Sequence, residues 1–337
     1  MLRVFGTNTE IFIDRTRELE ARRPASRPSD PFLTCCARAQ VLLQLNAAGF
    51  GAPVVATFAN GRCESFLEAR PLEPAELADA SLSPRIARLL RRFHAAPVDG
   101  PRDAPLWPLL RKWLDMATTL RLDDRARQAK LEAVRFASFC VAHALRAALR
   151  LCCLLPYVLF CANGAQLDAG SLRGEVAACE AACCALRSPV VYCHNDLLAP
   201  NVLLSTISSG AGAGELHFID FEYGCYNYRG FDLGNHFNEW AGFDCDYRRY
   251  PDDAQQRAFL AAYAAGEGGA PPDPAPASPE VDALVVEANV FSLASHLYWG
   301  IWALIQAKRV PRTACRCMRL ANADCCTHLL SCFVRLS

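Results

Sequence analysis

The chain has 337 residues, with 35 basic and 35 acidic side chains and therefore a formal net charge of zero. At about 100–200 residues per domain, that length suits one two-lobed domain or two small ones, and 52% hydrophobic with 21% charged residues is globular and not disordered. Electroneutrality argues against holding nucleic acid by bulk charge, and the 18 cysteines sit in a chain too long for a short, disulfide-stapled secreted domain.

From the N-terminus, Met1 to Gly6 run into charged sequence without the apolar stretch of a signal peptide, so a cytoplasmic location with free thiols is expected. Leu2–Phe5 and Glu10–Ile13 read as short β runs around the turn-prone Gly6-Thr7-Asn8. Residues 22–31 carry three prolines and cannot form a regular helix. A helix is expected over 36–48, then strands near 54–59 and 63–67 separated by Asn60-Gly61, a strong hairpin signal. Ser83 as N-cap and Pro84 as first helical residue open a helix whose apolar stripe is Ile86, Leu89, Leu90 and Phe93.

Leu151 to Ala162 is apolar but only a dozen residues long and contains Pro156. A membrane span needs about 20 apolar residues, so stable membrane insertion is not expected. Strands are expected at 190–193, 202–204 and 216–219, the last two flanking a glycine- and serine-rich loop, 208–214. Gly266 to Pro279 reads as a linker rich in glycine and proline, and an apolar, buried helix is expected over 280–308. No zinc site is expected from the cysteines: most pairs are adjacent, as in Cys35-Cys36 and Cys183-Cys184, and neighbouring side chains point apart. Cys179 and Cys183 share a helical face but have no matching second pair.

The densest polar cluster is His194-Asn195-Asp196-Leu197-Leu198-Ala199-Pro200-Asn201, followed by Ile219-Asp220-Phe221-Glu222-Tyr223. Phosphoryl transfer to an alcohol needs a carboxylate to take the hydroxyl proton and oxygen ligands to hold magnesium against the nucleotide. Asp196 and Asn201 lie on one loop, and Asp220 ends the next strand. This Asp-x4-Asn then strand-Asp-Phe spacing matches the protein-kinase-like catalytic arrangement. Singly, Asp or Asn here would be read as a turn residue; together the three point to chemistry.

The chain resembles the choline/ethanolamine kinase family. The resemblance rests on Cys193 to Leu198 with Asn201, Phe218 to Tyr228, Asp232 to Trp240 and Ser295 to Lys308. Leu2 to Gly6, Glu10 to Arg15 and Phe58 to Arg62 also fit. It implies an α+β, protein-kinase-like two-lobed fold, with an abbreviated N-terminal β lobe and a large, mainly helical C-terminal lobe. Residues 1–70 would hold nucleotide and hinge, 71–308 would be the catalytic and substrate lobe with 136–170 as an insertion, and 309–337 an atypical tail. The implied activity is ATP- and Mg2+-dependent phosphorylation of ethanolamine, the first step of phosphatidylethanolamine synthesis by the CDP-ethanolamine route. The implied base is Asp196, with Asn201, Asp220 and Glu222 as magnesium ligands. Arg3 would contact nucleotide phosphate, and Ser65, Phe66 and Leu67 would form the adenine-facing hinge. Glu239, Tyr223, Trp299 and Trp302 would receive the amine head group. Asn238 before Glu239, with Ala241-Gly242 after it, looks more like ethanolamine- than choline-preferring members. The small-molecule partner is therefore ethanolamine, with no nucleic acid, and a homodimer is compatible with the family. The alternatives are a choline kinase, or an inactive pseudokinase that keeps the amine site.

The sequence also departs from the family. Met1 lies two residues before Arg3, where the family has a further segment with a phosphate-covering loop, and no acidic partner for Arg3 is secure, Glu18 and Glu20 being nominees. Segments 20–40, 136–170 and 309–337 lack family pattern and hold most of the cysteines; only Cys63, Cys193, Cys225 and Cys245 fall in or beside family-like blocks. An incomplete gene model, with translated non-coding sequence in those segments, is favoured over a diverged kinase.

Overall fold

The computed structural model describes residues 2–4, 40–58, 61–119, 172–210, 212–266 and 278–309. In chain order its main elements are β1 (Leu2–Val4), α1 (helical residues 40–47), β2 (Val54–Phe58), β3 (Gly61–Glu64) and β4 (Ala69–Pro71). Then come α2 (Ser83–His94), α3 (Leu106–Thr119), α4 (Leu172–Ala185), β5 (Val190–Cys193), β6 (Val202–Ser205), β7 (Leu216–Phe218) and β8 (Cys225–Tyr228). Helices α5 (Arg229–Glu239), α6 (Asp253–Ala265) and α7 (Pro279–Arg309) complete the order. Short antiparallel sheets and a helical remainder give the expected α+β class.

The chain divides into two compact units, each built from separated stretches. The first comprises Met1–Ala104, Val190–Asp232 and Pro251–Val281, and the second Pro105–Pro189, Leu233–Tyr250 and Asp282–Ser337. The boundary between Asp232 and Leu233 falls inside α5.

In the first unit, β1-β3-β2 form one antiparallel sheet, β4-β6-β7 a second, and β5 pairs with β8. Phe58 lies opposite Gly61, so Gly61 opens β3 and is not the turn residue expected between strands 54–59 and 63–67, and Arg3 lies opposite Arg62. Strand β3 ends at Glu64, earlier than the 63–67 expected, because its partners β1 and β2 reach no further along it. That leaves Ser65-Phe66-Leu67 as irregular chain between β3 and β4. Helix α2 buries the whole stripe Ile86, Leu89, Leu90 and Phe93, packed on α6. Its cap differs from expectation: Leu82 is the N-cap, and Ser83 and Pro84 fill the first two helical positions. Around Phe93, the rings of Phe50, Tyr192, His194, Phe218 and Phe221 gather with centroids between 5.0 and 6.0 Å away.

In the second unit, α5 and α7 cross at Gly234. A Cβ there would meet the Ala288 carbonyl oxygen at 2.5 Å and the Ser292 nitrogen at 2.6 Å, so only glycine lets the backbones approach this closely. Trp113 of α3 is fully buried against the Tyr298 ring, 4.7 Å between centroids. Among the described residues no helix is long and apolar enough to cross a membrane. The Glu10–Ile13 run, the 22–31 proline stretch, the linker from 267 to 277, the 136–170 segment and the tail beyond Arg309 lie outside the described residues.

Candidate active site

Strand β5 delivers His194-Asn195-Asp196 at its end. Asn195 takes a left-handed backbone, φ 64°, which asparagine tolerates better than most residues. Its side chain repays the conformation: Nδ2 donates to the Tyr223 carbonyl at 2.8 Å, and Oδ1 accepts from Asn227 Nδ2 at 2.8 Å. Asn201 closes the loop, its Nδ2 donating to the Asp196 carbonyl at 2.8 Å. The two motif segments are stitched together at Ile219. Its N–H donates to the Asn201 carbonyl at 3.0 Å, and its carbonyl accepts from His194 Nε2 at 2.9 Å. The next residue, Asp220, is again left-handed, φ 66° and ψ 55°, a geometry that costs a non-glycine residue roughly 1–2 kcal/mol.

Beneath the loop sits Asp232, fully buried at the start of α5. Its Oδ2 accepts from the His194 N–H and its Oδ1 from the Asn195 N–H, both at 2.7 Å. His94 Nε2 lies 3.0 Å from Oδ2, and His94 Nδ1 lies 2.7 Å from the Tyr263 hydroxyl. A carboxylate only accepts, so Nε2 donates to Asp232. Burial pushes the Asp232 carboxyl up, but the His94 bond and the His94 and His194 rings outweigh it and hold it below its usual range. Burial holds His194 below the usual imidazole range, against the opposing pull of the Asp232 charge and of the bond that Nε2 donates to Ile219. His94, Cys193 and Asp232 are also the one group among the described residues close enough to grip a metal ion. The hydrogen bonds just described already occupy the His94 and Asp232 atoms, and this group does not include Cys179 or Cys183.

A cavity of about 220 Å³ opens in the same unit, lined on one side by Ser65, Phe66 and Leu67 and on another by Asp220 and Phe221. Arg62 and Glu64 bring a charge pair into it, Nε to Oε1 2.5 Å, that the motifs did not single out. Gly51 forms part of the wall with φ 74°, and a Cβ there would stand 2.7 Å from the Phe221 ring. The side chain of Arg3 lies outside the described residues.

The amine candidates Glu239, Trp299 and Trp302 fall in the second unit. Trp299 and Trp302 meet edge to face, centroids 5.6 Å apart. Asn235, one turn before Glu239 on α5, accepts from Trp299 Nε1 at 2.7 Å and from Ser295 Oγ at 2.8 Å through the same Oδ1. Glu239 is partly buried and its carboxylate makes no hydrogen bond or ion pair among the described residues; burial pushes it up to about 7. His296, one turn before Trp299 and beside the Tyr247 ring, is pushed down to about 4 by burial and is neutral. Asn238 donates to the Ser292 carbonyl at 2.9 Å, tying α5 to α7.

The structure thus brings Asp196, Asn201, Asp220 and Tyr223 together in the first unit, with the 65–67 segment lining the cavity that Asp220 also lines. Glu222 is exposed in that unit. Tyr223, named with the amine residues, stands here beside the 194–201 loop, while Glu239 and the two tryptophans belong to the other unit. Sequence reasoning missed His94, Asp232, Tyr263 and Asn235. Asp232 and Asn235 lay inside a quoted motif without a role, and nothing local marks His94 or Tyr263, whose partners are distant in the chain.

Residues 32–317 match the family described as choline/ethanolamine kinase. A probable ethanolamine kinase of Arabidopsis thaliana is 34% identical over 310 residues, covering 92% of this chain and 66% of that protein. Ethanolamine kinase 1 of Mus musculus is 31% identical over 316 residues, covering 91% and 70%. This chain therefore spans just under two thirds of the length of the Arabidopsis relative. Among solved structures, an ethanolamine kinase of Plasmodium vivax superposes with a TM-score of 0.67 at 22% identity, covering 100% of this chain and 77% of that one. A choline kinase from Cryptosporidium parvum gives 0.61 at 18%, covering 99% and 80%. At these identities the structural likeness speaks for the kinase-like fold. With the family match spanning most of its length, the chain belongs to the choline/ethanolamine kinase family.

Proposed function

We propose that this protein transfers the γ-phosphoryl group of ATP to the hydroxyl of ethanolamine, giving phosphoethanolamine and ADP, in the cytoplasm and as the entry step to phosphatidylethanolamine. The observation that carries phosphoryl transfer is the stitched loop: Asp196 is held by Asn201 on one side, and Asp232 fixes the two residues before it. The choice of ethanolamine is supported by the names of the relatives, including those of Arabidopsis and mouse at 34% and 31% identity.

In this reading Asp196 accepts the hydroxyl proton as the substrate oxygen attacks phosphorus and the bond to ADP breaks. The Asn201 amide nitrogen is already committed to the Asp196 carbonyl, so its oxygen is the atom left to offer a cation. With the Asp220 carboxylate, and Glu222 beside it, the donors are all oxygen, which fits magnesium. Bound there, magnesium supplies neutralisation of charge on the phosphate oxygens. Residues 1–70 act as nucleotide lobe and hinge, with Arg3 at phosphate and Ser65, Phe66 and Leu67 at adenine; residues 71–308 carry catalysis and the amine site. The Glu239 carboxylate meets the ammonium group, and Trp299 and Trp302 offer their faces, each face contributing about 0.5–2 kcal/mol.

The test is ADP release by the purified full chain with ATP, magnesium and either amino alcohol. Ethanolamine-dependent release is expected, falling about 10³-fold in Asp196→Ala. Release with choline alone would reject the substrate assignment. A folded protein that binds ethanolamine without turnover would make this a binding protein and not a kinase.

A further inference from the structure

The amine residues are held by a side chain that itself needs no contact with the substrate. We propose that Asn235 is a positioning residue that sets the plane of the Trp299 indole and through it the affinity for the amine cation. The inference deepens the ethanolamine reading and rests on it.

An indole has a single N–H donor, and that of Trp299 ends on Asn235 Oδ1 at 2.7 Å. The same oxygen is fixed from a second side by Ser295 Oγ at 2.8 Å, one turn earlier on α7. Asn235 is fully buried on α5, so this acceptor cannot be replaced by bulk water. Rotation of an indole about its second side-chain torsion is broad and roughly two-fold. The neighbouring rings of Tyr298 and Trp302 meet Trp299 edge to face at 5.1 and 5.6 Å, contacts that a flipped indole could remake. The hydrogen bond is what selects one orientation. Orientation matters because a cation is attracted to the ring face and repelled by its edge. Asn235 and Glu239 are four apart on α5, so the residue fixing the ring and the carboxylate share a helical face.

Steady-state kinetics on the full chain would test this with Asn235→Leu, Trp299→Phe and the double variant. Asn235→Leu is expected to raise KM for ethanolamine about tenfold and leave KM for ATP within about twofold. Trp299→Phe keeps an aromatic face but cannot reach the Asn235 acceptor, and its KM for ethanolamine is expected to rise about fivefold or more. In that background, adding Asn235→Leu should change KM by less than about twofold, because the coupled interaction is already gone. Multiplicative effects in the double variant, or a parallel rise in KM for ATP, would mark Asn235 as mere packing and overturn the inference. So would a wild-type KM in Trp299→Phe, a result that stands even where Asn235→Leu does not fold. A wild-type protein that turns over ethanolamine while the variants' KM stays put sinks only this inference; one that turns over none sinks the ethanolamine reading with it.

Discussion

Asp232 holds two backbone N–H groups and one imidazole N–H on its two oxygens. Asparagine would keep the shape but turn an NH2 group toward a donor, leaving buried N–H groups unsatisfied. Asp232→Asn is therefore expected to cost about 3 kcal/mol, read as a lower urea midpoint with unchanged slope, together with loss of kcat. The Asp232 carboxyl is held below its usual range, so its stabilising contribution is present above the unfolded carboxylate range and is lost as pH falls through the lower folded value. Glu239 behaves in the opposite sense. Burial raises it to about 7, so below that pH it is largely neutral and a poor partner for an ammonium group. KM for ethanolamine is expected to fall as pH rises toward 7, by up to about tenfold per unit, and to level off above it. A flat profile between pH 5.5 and 7, with Glu239→Gln unchanged from wild type, would separate Glu239 from the amine.

Helices were legible where one face is buried and the period shows. The α2 stripe could be read because every fourth or third residue meets the core, and the structure buries all four. The end of β3 could not, because it is set by how far β1 and β2 extend beside it. Gly234 belongs to the same hidden class: inside a helix a lone glycine only looks costly, until the crossing helix comes into view. A methyl group there would meet backbone atoms of Ala288 and Ser292, which cannot rotate away as a side chain would. Gly234→Ala should lower stability by about 1–3 kcal/mol despite its better helix propensity, a shift visible in thermal melting. An unchanged or raised Tm would show that the α5–α7 crossing is looser than its geometry indicates.

At the scale of the molecule, burial of two carboxyls among the described residues tilts stability with pH. Glu175, buried on α4, is pushed up to about 8, and Glu239 to about 7. A carboxyl raised in the folded state stabilises it while protonated, fully below the unfolded value of about 4.3, and loses that contribution as pH rises through the folded value. His194 and His296 are lowered by burial and act the other way, but only while the unfolded imidazole still titrates, below about 6.5. Between pH 6.5 and 8 the carboxyls dominate, so Tm should drop by a few degrees, roughly, and Glu175→Gln should flatten the slope. The motifs of the 194–201 loop were readable from short spacings, yet the composition of each unit was not. Three stretches far apart in sequence form each one, and no local pattern records such partners.

The hydrogen bonds beneath the loop join residues 94, 194, 232 and 263. Bonds across such separations close late, after the chain between them has been gathered in. A ribosome would have to release α6 before Tyr263 could reach His94, so the bonds beneath the 194–201 loop are complete only after residue 263 has emerged. Any shortened transcript product that stops before residue 232 would carry Asp196 and Asn201 in full while lacking the carboxylate that shapes the backbone beside them. Such a product would keep the motif and lack the assembled site.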